Sequence, residues 1–405
     1  MARPLENVKV LDLSRVLAAP LAGQWLADMG ADVVKVERPG KGDESRSYGP
    51  PFFGEDGQRK GLSGFYLSAN RNKRSITVDL AKAEGQRLVA QMAAQSDVVI
   101  ENYRVGTLRR YGLDYPTLSA ANPRLVYCSI TGYGQTGPSS HRPGYDGVFQ
   151  AISGLMSVSG HPDGEPGAGP MKVGISIVDV VTSYYAGMAV LAALYHRDTV
   201  SGRGQHIDLA LLDASVACLT HYATNYLVCG ETQGRRGNAG YGGVPSQTFP
   251  CADGEIFLTA GNDEQFRRTC AVLERPDLLK DPRLATAHAR VVNRLYVSET
   301  LGGLFRRQPA AYWLDRLDAA DVPSGRINDV AAAFEDPQVR HNRMAVEVDG
   351  EAGLRLVRNP IRFSDTPLDR YAAPPLVGEH TDAVLLEMLG LDAEACAGLR
   401  AQGVI

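Results

Sequence analysis

The sequence has no CxxC pair: its six cysteines, Cys128, Cys218, Cys229, Cys251, Cys270 and Cys396, are scattered. That scatter excludes the usual zinc spacings and a disulfide framework, so no metal is expected and a reducing compartment fits best. Positive charge is not in surplus either. The 42 basic and 46 acidic residues leave a net charge of -4, which argues against nucleic acid or an anionic membrane as a general partner. No run approaches the roughly 20 uninterrupted apolar residues of a membrane span, and the start MARPLENVKVLDL lacks an apolar core behind a basic stretch. A cytoplasmic protein is the expectation. Internal repeats and low-complexity tracts are absent. Also missing is the glycine fingerprint of dinucleotide binding: between VKVLDL and the first helix stands SRVLAAP, with no GxGxxG. Glu37 ends the second strand where a ribose-binding acid would sit, but without that loop it reads equally well as a solvated strand-end acid.

What is present over residues 8–131 is an alternation of short apolar strands with helices. VKVLDL, PLAGQWLADMG, ADVVKVE, SITVDL, a helix over about 81–95, DVVIE and RLVYCSI follow one another. The pattern predicts an α/β fold with a parallel sheet covered on both faces, whose ligands bind beyond the carboxyl ends of the strands. Those ends carry ERPGKGD, NYR and TGYGQTGP, so Arg38, Lys41, Asn102 and Arg104, with Arg110 soon after, collect at one edge. Cations and glycine-permitted backbone are what phosphates need. After residue 203 a strand runs into LLDASVACLTHYATNYL, read as a second long helix. We place a large domain at 1–225, a smaller α+β domain at 226–330 opened by the glycine-rich stretch GRRGNAGYGGVPSQTFPCADG, and a tail at 331–405 that packs back on the large domain.

Within KVGISIVDVVTSYYAGMAVLAALYH one carboxylate, Asp179, stands at the mouth of an apolar helix. Ser176 and Asp179 have the spacing of a capping box, and an acid in the first turn complements the helix dipole. The same dipole would keep Asp179 ionised in a dry pocket, as a nucleophilic carboxylate must be. The residues alone leave both readings open.

The series VLDLSRVLAAPLAGQWLADMGADVVKVERPGKGD, NRNKRSITVDL, ENYRVGTLRRYGLDY, NPRLVYCSITGYGQTGP and the Asp179 segment, in this order, strongly resembles the family III CoA-transferases (CaiB/BaiF family). LLDASVACLTHYATNYL, GNDEQFRRTCAVL, NPIRFSDTP and PPLVGEHT resemble the branch that moves CoA between short dicarboxylic acids, such as the succinate and hydroxymethylglutarate transferase. The resemblance implies a Rossmann-like large domain completed by the C-terminal segment, a small domain, and an interlocked homodimer. It implies Asp179 as the nucleophile, passing through an aspartyl-acyl anhydride and an aspartyl-CoA thioester. Coenzyme A and acyl-CoA are then substrates, and no tightly bound cofactor is expected. By position, Leu17 and Ala18 line the thioester site, and Arg38, Asn102, Tyr103, Arg104 and Arg110 contact the nucleotide. Val78 and Asp79 fall at the adenine end, with Tyr145 and Asp146 also beside CoA. Gly240, Tyr241, Gly242 and Gly243 match the loop that shields the intermediate, where the tyrosine is a departure expected to narrow the pocket.

Two other readings compete. The α-methylacyl-CoA racemase branch needs a histidine before Asp146; here Tyr145 stands there, a phenol with a pKa of about 10 and a poor base at neutral pH. His141 and His161 fall outside that pattern. A CoA-binding protein without catalysis is the third reading, opposed by the presence of both Asp179 and the glycine-rich loop. For the second carboxylate of a dicarboxylic acid, Arg15, His161, Lys172, Arg235 and Arg236 all qualify by type.

Overall fold

A computed structural model describes residues 3–54 and 61–405. It divides into two units, one of Met1–Leu155, Val173–Glu231 and Arg340–Ile405, the other of Met156–Lys172 and Thr232–Val339. The boundaries differ from the sequence reading. Met156–Lys172 leaves the 1–225 segment for the second unit, the first unit runs on to Glu231, and the returning tail starts at Arg340.

The first unit is built on six strands: β1 (Lys9–Asp12), β2 (Asp32–Glu37), β3 (Lys73–Thr77), β4 (Val98–Glu101), β5 (Val126–Thr131) and β6 (His206–Ala210). All pair in parallel, in the order β3-β2-β1-β4-β5-β6. The order reverses between β1 and β4, so a crevice opens past their carboxyl ends. Successive strand residues feed opposite faces. Leu11, Val34, Ile76 and Val99 enter one core, while Val10, Val33, Val98 and Cys128 enter the other. The C-terminal helices Thr381–Leu389 and Ala393–Ala401 close the first core through Val384, Leu385, Cys396 and Leu399. That segment is stitched to the sheet edge by the His380 N–H on the Ser75 carbonyl (2.8 Å) and the Asp79 N–H on the Val404 carbonyl (2.7 Å).

The second core is covered by helices Ala18–Asp28 and Ile177–His196. The latter continues to Ser201. Against the sequence reading, this one helix is long and apolar enough to cross a membrane by length and composition. Its Val178, Ala186, Val190, Ala193 and Leu194 are packed inside the unit, which is what an apolar helix in a core does. The helix expected over LLDASVACLTHYATNYL is broken. Thr220 takes a left-handed φ of 45° between Leu211–Cys218 and His221–Cys229.

The second unit carries an antiparallel sheet, β7 (Ser246–Cys251), β8 (Gly254–Thr259) and β9 (Ser324–Arg326), in that order. Its core gathers Phe249, Ile256, Phe266, Leu301, Phe305 and Trp313. Arg290 is fully buried there, donating to the carbonyls of Val244 (2.8 Å), Leu284 (3.0 Å) and Gly261 (3.2 Å) and pairing with Asp263 at 2.9 Å. A buried guanidinium is tolerated because its donors are spent on fixed acceptors.

Candidate active site

The turn after β1 sets the floor of the crevice. Val16 sits at φ 73°, costly for a β-branched residue, and is held because its N–H points at both Asp43 oxygens (3.3 Å each). Asp43 is itself paired with buried Lys35 at 2.9 Å. Burial opposes ionisation of Asp43, but Lys35 and the Ser45 N–H bring its pKa down to about 2. The strained turn delivers Leu17 and Ala18 to the start of the helix Ala18–Asp28. Across the crevice the side chain of Asn102 makes two bonds to the backbone of Arg15: it accepts from the N–H (2.9 Å) and donates to the carbonyl (2.7 Å). Asn102 therefore clamps the β1 and β4 turns together, a role the sequence reading did not foresee. Next to it, the Tyr103 N–H donates to Glu101 (2.7 Å), and the Arg15 guanidinium lies 5.3 Å above the Tyr103 ring.

Two clefts share Arg15, Glu44 and Tyr103. The outer, of about 560 Å³, is lined by Arg38, Lys41, Val78 and Asp79. The inner, of about 290 Å³, is lined by Leu17, Ala18, Asn102, Arg104, Tyr145 and Asp179. Most of the expected site residues thus converge on one edge of one unit. Arg110 lines neither cleft. Glu44 and Arg142 line the inner cleft and were missed. Arg142 had a signal in RPGYDG, three residues before Tyr145; Glu44 sits in a 3₁₀ turn that no periodicity marks.

Asp179 occupies the first turn of its helix, but the expected capping box does not form. Ser176 makes no side-chain cap bond. The cap comes instead from Asp146, whose carboxylate accepts from the N–H groups of Val178 (2.7 Å) and Asp179 (3.3 Å) and, through its other oxygen, from the Gln150 amide (2.6 Å). Gln150 in turn accepts the Val173 N–H (2.9 Å). Asp146, expected beside CoA, is buried, lines neither cleft and holds the helix mouth.

The Ile177 and Val180 N–H groups are also bonded to backbone carbonyls, and no hydrogen bond from the described residues supports the Asp179 carboxylate. Burial first, and the Asp146 charge second, push the Asp179 pKa up to about 7. The expectation that the dipole keeps it ionised is corrected: the Val178 and Asp179 N–H groups are already taken by another acid. At neutral pH the group is divided between a neutral carboxyl and a carboxylate with little solvation, which is a reactive anion.

Tyr145, in the place a racemase-type histidine would take, is 64% exposed and lines the inner cleft. His141 does not line it, and His161 belongs to the second unit. Gly240–Gly243 also lies in the second unit. None of its three glycines has a positive φ. Their requirement is local instead: a Cβ on Gly243 would stand 2.8 Å from the Cα of Gly261, while Gly242 faces open space. Glu37, expected as a solvated acid, is buried and bound to Arg46 at 2.7 Å. No cluster of metal-ligating side chains occurs among the described residues.

A model of CoA-transferase family III matches residues 5–381. The chain is 44% identical over 396 residues to a succinate–glutarate CoA-transferase of Agrobacterium fabrum, covering 97% of both chains. It is 41% identical over 406 residues to the succinyl-CoA:glutarate CoA-transferase of Homo sapiens, covering all of this chain and 90% of that one. A crystal structure of a CaiB/BaiF family protein from Brucella suis superposes with a TM-score of 0.86 at 41% identity, covering 96% of this chain and all of the other.

Proposed function

The chain belongs to CoA-transferase family III, and from that premise we propose that it moves CoA from succinyl-CoA to a short dicarboxylic acid such as glutarate, with Asp179 as the nucleophile. The observation that carries this reading is a carboxylate at a cleft wall, without a cation or a hydrogen bond among the described residues, with a pKa of about 7. The relatives named for succinate and glutarate support the substrate class.

In the proposed cycle the Asp179 carboxylate attacks the thioester carbonyl and expels CoA thiolate, giving a mixed anhydride. The thiolate attacks the aspartyl carbonyl and releases the donor acid, leaving an aspartyl-CoA thioester. The acceptor carboxylate attacks that thioester, a second anhydride forms with CoA thiolate, and attack of the thiolate on the acceptor carbonyl regenerates Asp179. Every step trades one activated carboxyl for another, so no external energy source is needed. The outer cleft, with Arg38 and Lys41, suits the phosphates of CoA, and the inner cleft suits its thioester. Exposed Tyr184, Tyr185, Met188 and Tyr195 on the long helix support dimerisation as part of the proposal.

Incubation with succinyl-CoA and a panel of acids, read by mass spectrometry of the acyl-CoA products, tests the function. Glutaryl-CoA formation is expected. Solvent deuterium entering the α-carbon of a 2-methylacyl-CoA, with no CoA transfer, would favour the racemase reading instead.

A further inference from the structure

Of the five cations that the sequence offers for a second carboxylate, the structure separates two that stand side by side. Arg235 is committed: it pairs with Asp163, and its Nε donates to the His161 carbonyl (3.0 Å). Arg236 has no carboxylate partner among the described residues. One Nη donates to the Gln233 side chain (3.2 Å), and the guanidinium lies 5.2 Å over the Tyr241 ring, but its Nε is buried with no hydrogen-bond partner. A buried N–H left without an acceptor is costly and calls for one.

The Arg236 charge acts on a second arginine. Arg294, at the start of helix Arg294–Phe305, donates to the carbonyls of Gly240 (3.3 Å) and Tyr241 (3.4 Å) and has no carboxylate partner among the described residues. Burial and the Arg236 charge both lower its pKa. Gly242 and Gly243, two and three residues along the loop from Gly240, are exposed residues, and their N–H groups make no hydrogen bond to the described residues. Two guanidinium groups of like charge and two successive amide N–H groups, all within the second unit, form an arrangement made to receive an oxyanion.

We infer that Arg236, supported by Arg294 and the Gly242–Gly243 backbone, is a binding site for the carboxylate of a free short-chain acid. This rests on the reading of the protein as a transferase with free acids as substrates. The planar fork of Arg236 favours a carboxylate, while a phosphate of CoA is the competing oxyanion.

The test is calorimetric titration of glutarate, and separately of CoA, into the full-length protein, its Asp179→Ala form, Arg236→Gln and Arg236→Lys. The Arg236 side chain is half-buried and, among the described residues, hydrogen-bonded only to Gln233, so its variants are expected to fold, as circular dichroism will check. Arg236→Gln is expected to weaken glutarate roughly 10- to 100-fold while leaving CoA unchanged. Arg236→Lys should restore part of that affinity, and Asp179→Ala should keep it. Unchanged glutarate affinity in Arg236→Gln would overturn the site, and so would a loss confined to CoA. Because the readout is binding, a wild type that binds glutarate through Arg236 but transfers no CoA would count against the transferase reading alone. If Arg236→Gln does not fold, an Arg236→Lys protein that binds glutarate as tightly as the wild type would likewise overturn it.

Discussion

Two groups of carboxylates withdrawn from solvent in the first unit are treated in opposite ways. Under the β1 turn, Asp12 is paired with Lys73 at 2.9 Å and Asp43 with Lys35 at 2.9 Å, all four side chains shielded from water. Burial would raise the Asp12 pKa, yet Lys73 and Lys35 hold it below its ordinary value. At the mouth of the long helix, Asp179 has no cation among the described residues, its neighbour is another acid, and its pKa rises to about 7. Compensated charge builds a rigid floor; uncompensated charge leaves a carboxylate whose energy falls when it forms a bond. The contrast gives the first cluster a structural part and supports the proposed chemical part of the second.

The largest effect should come from deleting the uncompensated group. Asp179→Ala is expected to reduce CoA transfer by roughly 10³-fold or more without loss of folding, as steady-state rates and circular dichroism would register together. Deleting a member of the compensated cluster should do the reverse. Lys35→Met leaves Asp43 buried without its cation and should cost about 3–5 kcal/mol in urea unfolding; a midpoint close to that of the wild type would mean that Asp43 finds water.

Smaller effects sharpen the contrast. Folding lifts the Asp179 carboxyl from 3.8 to about 7, so its protonated form belongs to the fold. The stability it contributes below pH 3.8 is lost as pH rises through 7. Asp179→Asn should therefore stabilise the protein at pH 8 by about 1–2 kcal/mol and have little effect at pH 4. Thermal melts at the two pH values distinguish this from a general gain. The rate should fall as pH drops below 7, where the nucleophile is protonated. Asp146→Asn removes the like charge and should move this acid limb to lower pH, at the cost of part of the helix cap, about 1 kcal/mol. Glu101 also has a pKa raised to about 7 by burial, but it is bonded to the Tyr103 N–H. Glu101→Gln should leave the acid limb in place, and a limb that disappears would transfer the titration to Glu101.

The sheet was readable from alternation, because Val10 and Leu11, or Val33 and Val34, feed different cores. That Arg38, Lys41, Asn102 and Arg104 gather at one edge was readable because strand ends of a parallel sheet share one edge; Leu17, Tyr145 and Asp179 joined them only through the family resemblance. The capping of the Asp179 helix was not. Local spacing offered Ser176, whereas Asp146, 33 residues earlier than Asp179, supplies the bond to the Asp179 N–H. Tertiary pairing defeated a local rule. The buried cluster had left a trace in the sequence: Asp12 and Lys35 interrupt strands that, in a parallel sheet, should be continuously apolar. A charge in such a strand implies a partner, although its identity, Lys73 or Asp43, depends on strand order. The outlying Arg110 shows the limit of reading cations by position, since a four-residue helix, Thr107–Arg110, carries it away from both clefts.

The measurement that bears most directly on Asp179 is peptide mass spectrometry of enzyme quenched during turnover with succinyl-CoA and glutarate. The account predicts the mass of CoA, as a thioester, on the peptide containing Asp179, with none on the Asp179→Ala protein. Sustained transfer with the CoA mass on another residue, or on none, would contradict it.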